Sequence, residues 1–140
     1  MQQLAPFAIA VLFATPTVAV HAQQADQTTA GAEAAGRWLA LADAGNGAAT
    51  WHAAAAVFQA AVSQKDWTAA LDQARTPYGA LTRRTLADAR ATRTLPGAPE
   101  GDYVVLQYQS SFANRQTVTE TVIVMRETDG NWKTITYVIR

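Results

Sequence analysis

Cysteine is absent from this 140-residue chain. That excludes disulfides, thiolate metal sites, a thiol nucleophile and the acylated cysteine of a lipoprotein. Histidine is almost absent: His21 and His52 are the two. One histidine in the expected mature part and no cysteine exclude the ordinary zinc sets. The acidic residues are too dispersed for an all-carboxylate calcium cage. No metal and no cofactor is therefore expected. An excess of either charge is also missing, with eleven Lys and Arg against eleven Asp and Glu. Phosphate affinity needs clustered cations, so no nucleic-acid partner is expected. There is no G-x-S-x-G element to supply an activated serine.

Long apolar runs are missing as well. The N-terminal stretch "LAPFAIAVLFATPTVAV" is uncharged, but Pro6 and Pro16 interrupt it and no segment is long enough to span a bilayer. It reads as a secretory signal with a small-x-small cleavage step, Val20-His21-Ala22, although "MQQ" adds no side-chain cation ahead of it. The expected organisation is a signal peptide at 1–22 and a single α+β domain at 23–140. The protein would then be periplasmic or secreted after cleavage near Ala22, with no stable membrane anchor. Its oligomeric state is not legible.

Helical periodicity dominates the first half of the remainder. "QQADQTTAGAEAAG" is small and polar, and is expected to be a frayed tail leading into a helix. Ala34, Ala35, Trp38, Leu41 and Ala42 then recur at helical spacing. Gly45-Asn46-Gly47 stops that helix, because both residue types tolerate the left-handed C-cap conformation. A second stripe, Trp51, Ala55, Phe58 and Val62, predicts a second helix. Ser63 with Asp66 resembles a capping box and opens a third, carrying Trp67, Leu71, Ala74 and Tyr78. Trp38, Trp51 and Trp67 at this spacing are expected to be core rather than pocket lining.

The period then shifts to two. "YVVLQYQSSF" puts Val104, Leu106, Tyr108, Ser110 and Phe112 on one face. "FANRQ" is a turn, "TVTETVIVM" is rich in β-branched residues, "TDGNW" marks a hairpin and "WKTITYVIR" closes the chain. Residues 82–94 are ambiguous between helix and strand, with an irregular first strand preferred. The expected fold is α+β: three N-terminal helices packed on one face of an antiparallel sheet of about four strands.

Several segments together resemble a bacterial family of exported proteins catalogued as a domain of unknown function, DUF4019. They include Trp38, Trp51, Phe58, Trp67, Arg75-Thr76-Pro77-Tyr78-Gly79, the loop Leu95-Pro96-Gly97-Ala98-Pro99-Glu100-Gly101, and Glu120-Thr121-Val122. The resemblance runs from about Glu33 to Arg140. It implies an exported location and a small α+β domain, and it implies no activity. The element order is also similar to the cystatin-like and nuclear-transport-factor-2-like cone folds.

The stretch "DAGNGAATWH" (Asp43–His52) contains a near-match to a dinucleotide loop. A helix precedes it and Thr50 stands where a third glycine belongs, so a helix–turn–helix is expected instead. His52 lies off the apolar stripe and is expected to be a half-exposed bystander. Glu120 is the most informative residue. By period two it shares a face with Val118, Val122 and Val124. If that face is covered, the carboxylate needs partners, for which Arg75 and Arg84 are the candidate cations and Tyr108 or Tyr137 the candidate donors. Two functions follow. One is a non-enzymatic module binding a protein or a small apolar ligand, with Arg75, Arg84 and Glu120 as candidate site residues. The other is a cone-fold acid–base enzyme of isomerase or dehydratase type, with Glu120 or Asp43 as base and Tyr78, Tyr108 or Tyr137 as hydrogen-bond donor. An open pocket of a few hundred Å³ containing a carboxylate would favour the enzyme, and a filled core the module.

Overall fold

The computed structural model describes residues 17–140. The apolar run from Leu4 to Pro16, on which the signal-peptide expectation rests, lies outside the described residues. Four α-helices come first: α1 (Thr17–Asp43), α2 (Gly47–His52), α3 (Ala56–Ala61) and α4 (Gln64–Arg75). A 3-10 turn at Thr76–Tyr78 leads into β1 (Leu81–Thr92), β2 (Tyr103–Phe112), β3 (Arg115–Arg126) and β4 (Trp132–Ile139). All neighbouring strands are antiparallel, in the order β1-β2-β3-β4. The layout is the expected α+β one, helices then a four-stranded meander, and residues 82–94 begin as strand.

The core is the seam between the helices and the inner face of the sheet. α1 buries Ala35, Trp38, Leu39 and Ala42 against Val104, Leu106, Tyr108, Val122 and Val124, and α4 adds Leu71. Alternation along β2 and β3 therefore reads as expected, hydrophobic toward the helices and mixed away from them. Gly31 lets α1 lie directly on β2. A Cβ there would sit 2.8 Å from Val104 Cβ, too close without displacement. The tail expected to fray is instead helical from Thr17, which its alanine-rich composition favours. It packs against little before Gly31, since residues 18–26 are exposed.

The second expected helix is broken into α2 and α3. This is a correction to the stripe Trp51-Ala55-Phe58-Val62, and its cause is tertiary. Ala54 leaves the helix to bridge Thr134 on the edge strand β4, and Ala55 N–H donates to Thr134 O at 2.9 Å. The break leaves orphan backbone groups that side chains satisfy. Gln59 Nε2 donates to the carbonyls of Trp51, His52 and Ala54, and Glu127 Oε1 accepts from Ala56 N–H at 2.8 Å. Intrinsic preference for helix in "HAAAAVF" is worth tenths of a kcal/mol per residue, and covering a sheet edge outweighs it.

The Gly45-Asn46-Gly47 turn is built as expected. Gly45 has φ 72°, the left-handed conformation that ends α1. Asn46 caps α2 by accepting from Ala49 N–H at 3.0 Å. Thr50 ties the helices together. Its hydroxyl accepts from Trp67 Nε1 at 2.9 Å and donates to Gly47 O at 2.6 Å, while its carbonyl accepts from Trp38 Nε1 at 3.0 Å. Trp51 Nε1 donates to Val62 O at 2.8 Å. These tryptophans thus join apolar packing with satisfied indole N–H groups, a structural use.

Candidate functional site

Glu120 is fully buried, at 0% exposure, on the helix-covered face of β3. Five hydrogen bonds converge on its carboxylate. Oε1 accepts from Arg84 Nε at 2.8 Å and Ser110 Oγ at 2.6 Å. Oε2 accepts from Arg84 Nη2 at 3.1 Å, Arg75 Nη1 at 3.3 Å and the Tyr137 hydroxyl. The Tyr137 oxygen in turn accepts from Arg75 Nη1 at 2.8 Å. Asp43, at the C-terminal end of α1, closes the outer side. It accepts from Arg75 Nη2 at 2.6 Å and from Arg84 Nη1 and Nη2 at 2.7 and 2.9 Å.

Each member is delivered by a different element. The last turn of α4 supplies Arg75, β1 supplies Arg84, β2 Ser110, β3 Glu120 and β4 Tyr137. Two acids and two guanidinium groups balance, so the cluster is neutral as a unit. Forked guanidinium donors suit this role, because one Arg can hold two carboxylates at once.

The acidities follow from this geometry. Burial pushes the Glu120 carboxyl up, but the hydrogen bonds from Arg84, Ser110 and Tyr137, with the Arg84 charge, outweigh burial and hold it below its ordinary value. Asp43 shows the same balance: burial raises it, and the hydrogen bonds and charges of Arg84 and Arg75 bring it below the usual range. For Arg84 burial pulls down, but the two carboxylates prevail and hold its proton more firmly than usual. Tyr137 is pushed well above its ordinary value by burial and by the neighbouring Glu120 charge. Burial also raises Tyr108, with the Glu120 charge adding and Arg84 opposing. Glu120, Asp43 and Arg84 are therefore ionised at neutral pH, and both tyrosines stay protonated.

Of the sequence candidates, Asp43, Arg75, Arg84, Glu120 and Tyr137 come together. Tyr108 faces Glu120 in the β2–β3 ladder but makes no hydrogen bond to it among the described residues. Tyr78 is elsewhere, stacked on Phe112 with ring centroids 5.7 Å apart and with Arg115 over its ring. Sequence reasoning missed Ser110, although its signal was visible: a polar residue in the run of β2 positions that face the core. His52 is exposed, stacked edge-on against Trp51 at 5.2 Å, and remote from the cluster's hydrogen bonds.

Beside the cluster lies an open cleft of about 800 Å³ between α4, the end of α1 and the start of β1, lined by Asp43, Thr68, Ala69, Asp72, Arg75 and Leu81 among others. Glu120 does not line it. Among the described residues no group of His, Asp and Glu side chains is arranged to hold a metal ion, and no helix is long and apolar enough to cross a membrane.

No curated protein and no solved structure matches the chain. The family model described as "Protein of unknown function (DUF4019)" matches residues 34–137. That span runs from the buried part of α1 to the last cluster residue, Tyr137, and the chain belongs to this family.

Proposed function

We propose that this domain is a non-enzymatic binding or interaction module whose contact surface is the cleft beside the charge cluster. The observation that carries this reading is the saturation of Glu120 by five hydrogen bonds in a site with no exposure. A general base needs a lone pair within reach of the proton it removes. Glu120 offers none, so the cluster acts as a brace that fixes α1 and α4 against the sheet.

The cleft itself has the size of a small-molecule site and contains carboxylates, as the acid–base alternative requires. Its chemistry is what argues against that alternative. Asp43 already accepts three N–H bonds from arginine and is held below the usual carboxyl range, which makes it a weak base. Cone folds carry binders as well as isomerases and dehydratases, so likeness of element order does not choose between the two.

A protein-observed NMR screen of uncharged small molecules tests the reading. Hits should shift the amides of Thr68, Ala69 and Leu81 and emerge chemically unchanged, and Ala69→Trp, which fills the cleft, should abolish them. A hit converted by the protein, with conversion lost in Asp43→Asn, would establish the enzyme instead.

Export is part of the same proposal. Val18 is 83% and Val20 51% exposed, and from Val18 onward the first buried residue of α1 is Gly31. Of these residues, cleavage after Ala22 would therefore remove only exposed ones. Intact mass of the protein from an extracytoplasmic fraction should correspond to a chain beginning at Gln23; a full-length cytoplasmic species would exclude this.

A further inference from the structure

A second cavity, of about 370 Å³, opens on the other side of α1, between that helix, Ala53 and β4. Its size falls within the range of small-molecule pockets. Its walls include Trp38, Leu41 and Trp132, and two cations, Arg37 and Lys133, with no acidic residue among them. Thr134 also lines it, on the sheet face turned toward the helices, in register with the buried Val124.

The Thr134 hydroxyl sets this cavity apart. Thr134 is only 4% exposed, and its Oγ1 is a buried polar atom without a hydrogen-bond partner among the described residues. Buried hydroxyls are normally paired, so an unpaired one calls for a partner supplied from outside the chain. Arg37 makes no ion pair among the described residues. Lys133 has Glu127 at 3.8 Å, a loose contact with a group that does not line the cavity.

We infer that this cavity is a binding site for a small apolar molecule ending in a carboxylate. The indole walls and Leu41 would take the apolar body. Arg37 and Lys133 would neutralise the carboxylate, and the Thr134 hydroxyl would donate to one of its oxygens. A neutral ligand would not engage the two cations, and a cationic one would be repelled by them. The inference does not depend on the cleft beside α4, because the two sites share no lining residue.

The test is a titration of the full chain with sodium octanoate, followed by amide and indole NMR shifts, with octan-1-ol and octylamine as isosteres of other charge. Saturable shifts at the Trp132 indole and the Thr134 amide are expected, with octanol at least about tenfold weaker and octylamine not binding. Arg37→Gln combined with Lys133→Gln should lower octanoate affinity by about tenfold while leaving the melting temperature nearly in place, since Arg37 is exposed and the contact of Lys133 with Glu127 is long, at 3.8 Å. Thr134→Val keeps the shape and removes the donor, so it should weaken octanoate binding severalfold without lowering stability. Absence of saturation at the cavity, equal affinity for octanol, or an unchanged affinity in the double variant would each overturn the inference. Shifts confined to Thr68, Ala69 and Leu81 would overturn it too, while leaving the reading of the cleft intact.

Discussion

Glu120 and Thr134 sit on the inner face of one sheet, on neighbouring strands, at 0% and 4% exposure. One is a charge with five hydrogen bonds; the other is a neutral hydroxyl with none among the described residues. Burying a carboxylate is far more costly than burying a hydroxyl, and this protein has committed five donors from three strands and a helix to the carboxylate. The difference separates two meanings of a buried polar group. A saturated one is finished within the chain and holds elements together. An unsaturated one beside a cavity is finished by something else.

The comparison predicts its largest effect at Glu120. Glu120→Gln leaves Arg75 and Arg84 with Asp43 as their one remaining anion and turns an amide NH₂ toward a guanidinium. Breaking a buried pair from one side typically costs about 3–5 kcal/mol. A urea melt should show a loss of roughly 3 kcal/mol or more. Unchanged stability would mean that the cluster is not a brace, and Glu120 would return as a candidate functional group.

Acid should reproduce part of that loss. Glu120 and Asp43 both have acidities held below their ordinary values of 4.5 and 3.8. A carboxylate depressed in the folded state contributes stability that is complete above its ordinary pKa and disappears as pH falls through the folded one. The melting temperature should thus be flat above about pH 5 and fall on further acidification. In Glu120→Gln that acid limb should be shallower, because one of the two contributing groups no longer titrates. An equally steep limb would assign acid sensitivity to other carboxylates.

Much of the brace was legible in the sequence. Period-two alternation placed Glu120 among valines, and a buried carboxylate demands cations, which narrowed the partners to Arg75 and Arg84. Asp43 was named only as an alternative base and not as a partner of the arginines, because what brings it to them is the end point of α1, fixed by Gly45. Tyr78 was a candidate hydrogen-bond donor alongside Tyr137, but the 3-10 turn sends its ring onto Phe112. The break between α2 and α3 was not legible. Its determinant is the backbone of Thr134, some eighty residues away, and the local alanine run argues for the opposite outcome. The cavity at Thr134 was hidden for the same reason, since it exists only once the broken helix meets β4.

A smaller effect is expected at Thr50, which resembles Glu120 in being saturated but carries no charge. Thr50→Val removes the acceptor of the Trp67 indole N–H and the donor to Gly47 O. Leaving one such group unpaired costs about 1–3 kcal/mol. Trp67 fluorescence should change along with the melt, because the indole loses its hydrogen bond. A loss as large as that at Glu120 would show that charge is not what distinguishes the brace.

His52 gives the smallest effect and fixes the baseline. It ends α2 with an exposed side chain, and its link to the rest of the fold runs through its backbone carbonyl, which accepts from Gln59 Nε2. His52→Ala keeps that carbonyl, forfeits an edge-on contact with Trp51 and improves helix propensity. The net change should stay within about 0.5 kcal/mol. Gln59→Ala, by contrast, removes the side-chain donor to the carbonyls of His52 and Ala54 at the helix break, and to that of Trp51, which keeps Ala54 N–H, and should cost more than His52→Ala in the same melt. If His52→Ala proved the more damaging of the two, the imidazole would be making a contribution that its exposed position does not account for, and the division between saturated, unsaturated and solvated polar groups would no longer order the effects.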